Sequence, residues 1–189
     1  GQRYGIATFS RFPLSEKRKI SLPGSRTNLI TSCIVELQKK VKVQLFNVHL
    51  QSFKLGREDY QLIEELPDKG PDIEQSKSLL RKLKKGFEMR ALQADILREA
   101  MDQSVYPVVV AGDFNDTPVS YTYQTLSNGM TDAFLKGGFG SGGTYAGPLP
   151  SFRIDYLLAD SLFVIHDFEV ISNSNTDHYP ITTTLSLSQ

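Results

Sequence analysis

Cysteine is almost missing: Cys33 is the only one in 189 residues. An intrachain disulfide framework and a cysteine-built zinc centre are therefore excluded. Cys33, inside "TSCIVEL", reads as a small buried residue of a strand. An excess of either charge is missing too, since Lys+Arg and Asp+Glu both number 21. A strong overall positive field for holding nucleic acid is excluded, although a local basic groove is not. No apolar run approaches the roughly 20 residues needed to cross a bilayer. No serine or cysteine sits in a nucleophile elbow. The glycine-rich "GGFGSGG" at 137–143 lacks the Lys-Ser/Thr pair and following helix of a P-loop.

What remains is an ordinary globular composition, 40% apolar and 22% charged, long enough for one domain over 1–189. "YGIATF" at 4–9 predicts a strand that "SRFPL" closes. "LITSCIVEL" at 29–37 and "VKVQLFNVHL" at 41–50 flank "QKK" and predict a hairpin. In the second run Val41, Val43 and Leu45 alternate with Lys42 and Gln44, a half-buried strand. A short helix is expected over 57–65, broken by "LPDKGPD". Asp72 then caps a long helix to about Asp102, with Leu79, Leu80, Leu83, Phe87, Leu92, Ile96 and Leu97 as its apolar stripe and Gly86 as a soft point. The basic "KSLLRKLKK" on it reads as a solvated face before a phosphate-backbone contact. A short helix over 119–127 ends at Asn128-Gly129. Strands at 153–158 and 163–171, and a final alternating strand after "NSNTDHYP", complete a mixed α/β chain with mostly antiparallel strands.

Polar residues gather at strand ends. "VVVAG" is followed by Asp113 and Asn115, two apart, which share one side if the strand continues and cap a turn if it does not. Asp155 interrupts the apolar "RIDYLL" and needs a partner, a histidine or a metal, if buried. Asp177-His178 close a polar loop before Pro180. His49 ends "FNVHL", with Asn47 on the same face. Two histidines, three aspartates and one or two asparagines suit hydrolysis by an activated water. Oxygen-rich ligands suit Mg²⁺ or Mn²⁺, and a phosphoester is the natural substrate for such a set.

The ordered pieces "YGIATFSRFPL", "NVHLQS", "RALQADIL", "VVVAGDFNDTP", "RIDYLL" and "TDHYPI" resemble the endonuclease/exonuclease/phosphatase superfamily across essentially the whole chain. The resemblance implies a four-layer α/β sandwich, two packed sheets flanked by helices, with the site where strand ends converge. It implies Asp113 as the group that orients or deprotonates water, with Asn115 beside it holding that water and a phosphoryl oxygen. His178 would contact the scissile phosphate, Asp155 would set its tautomer, Asp177 would lie near the metal, and His49 would act as a second histidine. Arg153 approaches a phosphate or forms a salt bridge, and Arg90 and Gln93 read as helix-to-sheet packing. Thr176 stands where the family often has serine. The family's opening strands, with an asparagine and then an "LQE" glutamate that is its main metal ligand, find no match; neither Glu16, in a charged loop, nor Glu36 has the right context. The resemblance thus covers the C-terminal two-thirds of the domain. An N-terminally incomplete sheet implies open edges that can pair with a second copy or fragment. The expected function is a metal-dependent phosphoesterase, acting on nucleic acid, a lipid headgroup or a small molecule; the alternative is a catalytically inactive binding or scaffold domain of the same fold.

Overall fold

Alternation along three central strands sets the layering. Phe46, Val48, Val108, Val110, Tyr156 and Leu158 point to one face and join a core with Ala94, Leu97, Met101, Tyr123 and Leu126 of the covering helices. Their neighbours Val43, Val109 and Ala159 point the other way and pack on Phe163, with Leu45, Leu157, Ile165, Leu185 and Leu187 around them. The computed structural model describes residues 5–23, 28–37, 41–69, 73–147, 150–172 and 176–188, and all their side chains except those of 66–69.

The elements are β1 (Leu14–Ile20), β2 (Leu29–Glu36), β3 (Lys42–His49), α1 (Arg57–Lys69), α2 (Ile73–Asp102), β4 (Val108–Asp113), α3 (Tyr121–Ser127), β5 (Met130–Asp132), α4 (Ala133–Gly137), β6 (Asp155–Asp160), β7 (Phe163–Val170) and β8 (Ile181–Leu187). A six-stranded sheet runs β1-β2-β3-β4-β6-β5, and β7-β8 form a second sheet. Among the described residues only β3 and β4 pair in parallel, and α1 and α2 lie in the crossover between them. Helices α2 and α3 cover one face of the large sheet and the small sheet packs on the other, so the chain is an α/β sandwich.

Several expectations change. The hairpin of β2 and β3 forms in full antiparallel register, with Cys33 buried in it; its "QKK" turn lies outside the described residues, as does the Asp72 cap. Residues 5–10 are not a strand. Among the described residues they have no ladder partner, and Asn47 instead donates to the Ala7 carbonyl at 2.9 Å. The strand is β1, in the charged run read as a loop. Its exposed "EKRK" hides any alternation, and a bulge with Glu16 at φ 45° breaks the register. Charge of this kind is what a sheet edge carries to discourage pairing. Helix α1 runs to Lys69 rather than stopping at 65, and the three-residue β5 and five-residue α4 are too short to show a period.

Helix α2 keeps part of the leucine stripe and adds to it. Leu79 and Leu97 are buried and Ile96 packs on the core, but Leu80, Phe87 and Leu92 stay exposed while Gly86, Arg90, Gln93, Ala94 and Met101 are buried. Gly86 is a contact point rather than a soft point: a Cβ there would meet the Phe53 ring at 2.6 Å. The basic run is the solvated face, with Lys82 on Asp59 at 2.6 Å and Lys84 near Glu88 at 3.7 Å.

Arg90 does pack helix to sheet, and Gln93 accepts from the Gln51 N–H at 2.9 Å. The Arg90 Nε donates to Asp116 at 2.9 Å, Nη1 donates to the Gln51 carbonyl at 2.8 Å, and Phe53 and Phe87 flank the guanidinium. Burial pulls its pKa down, with Asp116 opposing. Arg90→Leu leaves the buried Asp116 charge without its cation, and urea denaturation is expected to register a loss of about 3–5 kcal/mol.

Candidate active site

Register, not sequence proximity, assembles the site. His49 pairs with Asp113 across β3 and β4, and Asp113 pairs with Asp155 across β4 and β6. The three residues form one row across the sheet, so their side chains rise from the same face. That face is the one the small sheet covers, but its contacts lie at the other end of these strands, around Val43, Val109 and Ala159. The row is left only partly buried.

His178 arrives from outside the large sheet. Its Nδ1 lies 2.8 Å from Asp155 Oδ2. With Nδ1–H donating to the carboxylate, Nε2 carries the exchangeable proton or the lone pair. A β-bridge between Tyr145 and His178 holds the backbone, and the Tyr145 ring stands edge-on to the imidazole at 5.7 Å. The Thr144 carbonyl accepts from Tyr179 N–H at 2.7 Å, while its hydroxyl accepts from the N–H groups of Ile154 and Asp155 at 3.1 and 3.0 Å. Thr144 thus ties the strand of Asp155 to the loop of His178. Sequence reasoning missed Thr144 and Tyr145, because they follow a glycine-rich segment with no periodic signal.

Asp113 and Asn115 realise both readings of their motif. The strand ends at Asp113, and Asn115 takes a positive φ of 53°. Asp113 caps the resulting turn, accepting from the Asn115 N–H and Nδ2, each at 2.7 Å. The second Nδ2 proton goes to the Leu50 carbonyl at 3.0 Å. Both amide donors are therefore engaged. Asn115 thus grips the Asp113 carboxylate and ties it to the segment after β3.

Arg153 is also redirected. It is buried, its Nη1 donates to Asp132 at 2.6 Å, and Tyr123, Phe134 and Tyr156 surround its guanidinium. Burial opposes its charge, yet the Asp132 contact leaves the pKa raised. The salt bridge, not a phosphate contact, is what the fold makes of it. Asp177 accepts from the Ala146 N–H through its backbone carbonyl at 2.8 Å. Its carboxylate is not in the potential metal-ligand group found among the described residues, which is Asp113, Asp155 and His178, with donor atoms within 4.8 Å of one another. His49 stands at the edge, its Nε2 3.7 Å from Asp113 Oδ2.

Electrostatics separate these groups. Burial, then the neighbouring Asp155 charge, push Asp113 up to about 7. The hydrogen bond to Asp155 overcomes burial and raises His178 to about 9. Burial and the His178 charge lower His49. Burial and a hydrogen bond with Tyr60 raise the Tyr145 phenol to about 12. The two crowded carboxylates are hard oxygen donors of the kind that suits Mg²⁺ or Mn²⁺. The raised pKa of Asp113 comes from burial first and the Asp155 charge second, and a nearby cation would favour its ionised form.

A model of the endonuclease/exonuclease/phosphatase family matches residues 1–178. The chain belongs to that family. No curated protein sequence matches it. Among solved structures, the mannosyl-6-phosphatase of Bacteroides thetaiotaomicron VPI-5482 aligns with TM-score 0.67 at 16% identity, covering 93% of this chain and 67% of that one. The human nocturnin catalytic domain with bound sulfate aligns with TM-score 0.61 at 13% identity, covering 94% and 61%. A functionally unknown conserved protein of Enterococcus faecalis V583 aligns with TM-score 0.62 at 13% identity, covering 88% and 59%. The chain therefore spans about three fifths to two thirds of the length of these structures. At such identities the likeness establishes the shared fold. No helix among the described residues is long and apolar enough to cross a membrane.

Proposed function

We propose that this family member is a divalent-metal-dependent hydrolase of phosphoester bonds. The observation that carries the reading is the row His49, Asp113 and Asp155 with His178 hydrogen-bonded to its end. Asp113 and Asp155 would hold Mg²⁺ or Mn²⁺, which would supply neutralisation of the charge that builds on the phosphoryl oxygens, with His178 beside them. Asp113, with a pKa near neutral and its orientation locked by Asn115, is suited to take a proton from an attacking water. His178, charged at neutral pH, directs Nε2–H toward a phosphoryl or leaving oxygen while Asp155 fixes the ring. His49, lowered in pKa, would be a neutral neighbour that accepts or donates at the far side of Asp113. Asp177 would act at longer range.

Bis-p-nitrophenyl phosphate tests the reading in the complete gene product. Turnover that needs Mg²⁺ or Mn²⁺ and stops with a chelator is expected. No turnover with either ion would leave a binding or scaffold domain of the same fold. Because Asp113 must lose its proton to bind a cation, affinity is expected to fall by up to about tenfold per pH unit below about pH 7. Calorimetric titration across about pH 5.5–8 reads this slope. Asp113→Asn should lower it by about one proton, and an unchanged slope would remove Asp113 from the ligand set.

A further inference from the structure

Beside the Asp-His cluster, a pocket of about 450 Å³ opens between the segment after β3, helices α1 and α2, and the exit of β4. Its walls are mostly rings and branched chains, among them Phe53, Tyr60, Leu83, Phe87, Tyr145 and Phe152. It is continuous with the cluster: Asn115, which grips Asp113, lines it, and so does Tyr145, which stands against His178. Phosphoester hydrolysis by the cluster needs no such chamber.

We propose that this pocket is a subsite for an aromatic group carried by the substrate's phosphate, so that the substrate is a single ring-bearing phosphoester rather than a long polyanion. The inference rests on the phosphoesterase reading and gives it a substrate class.

Three observations support a ring as the occupant. The volume falls within the range of small-molecule sites. The wall is preformed, because Phe53 and Phe87 meet edge to face at 5.1 Å and Arg90 stacks on both, at 4.1 and 4.9 Å. Phe87 and Phe152 still present 49% and 41% of their surface to solvent, apolar area that a ring would cover. Charge argues against a polymer. Among the described residues Lys54 is the only cation on the lining, and the acidic Asp116 there is already held by Arg90. A succession of phosphates would find no matching succession of cations. One phosphate at the cluster and one ring in the pocket fit the charges present.

The test uses two non-hydrolysable probes, 1-naphthylphosphonate and methylphosphonate, titrated calorimetrically with Mg²⁺ present. The naphthyl probe is expected to bind at least about tenfold tighter, because the ring buries apolar surface that a methyl group does not. Phe152→Ala, at the rim, and Phe87→Ala should each cut that ratio to about twofold or less, while Leu135→Ala, on an exposed position of α4, should preserve it. Equal affinity of the two probes, or a ratio that both ring variants leave intact, overturns the subsite and leaves the phosphoesterase reading standing. A naphthyl preference in a protein without metal-dependent turnover keeps the subsite and removes the enzyme. If Phe87→Ala fails to fold, Phe152→Ala alone decides.

Discussion

Gly112→Ala is expected to lose at least about 3–4 kcal/mol of stability in a urea or guanidinium titration. Gly112 has φ of 142°, a conformation L side chains rarely adopt. A Cβ there would also lie 2.0 Å from the Val48 carbonyl oxygen. That oxygen belongs to the backbone of β3 at the parallel junction with β4, where Val48 is the register partner of Gly112. It cannot withdraw without disturbing the ladder. The next pair along is His49 with Asp113, so the site would be displaced as the strand parts. A loss under about 1 kcal/mol would mean that the two backbones are not held this closely.

His178→Ala is expected to reduce metal-dependent turnover by about 10²–10⁴-fold with little change in the unfolding midpoint. The ring is partly exposed at the rim and its removal leaves no large void. Asp155→Asn should cost less, about 10–100-fold, because it retains a group beside Nδ1 but reverses the tautomer preference. The two changes act on one unit, so the double variant should be little worse than His178→Ala alone. Additive losses would show that the metal-holding role of Asp155 outweighs its hold on His178. Midpoints from thermal melts separate either outcome from unfolding.

Much of the site was legible from composition and motif. Asp113, Asp155, His178 and His49 stand out because carboxylates and imidazoles at the ends of apolar strands are costly unless they have work or partners. The direction each side chain faces follows from a period of two, and that too can be read. The roles of Asn115 and Arg153 were not legible. An amide that positions a carboxylate and one that holds a substrate have the same residue type and spacing. An arginine two residues before an aspartate gives no hint that Asp132, 21 residues away in sequence, is its partner.

The chain's family membership, its α/β class and the identity of the cluster residues are properties of the sequence alone, since local pattern and residue chemistry suffice for them. The edge strand β1, the polar stripe of α2 and the aromatic pocket were decided by tertiary structure. Each depends on which distant segment comes to lie alongside: β2 gives a charged run its ladder, Phe53 and Asp116 make Gly86 and Arg90 interior residues, and helices α1 and α2 wall a pocket beside strand ends. Periodicity records one element's own faces, whereas partnership across the fold is a matter of packing that no local window contains.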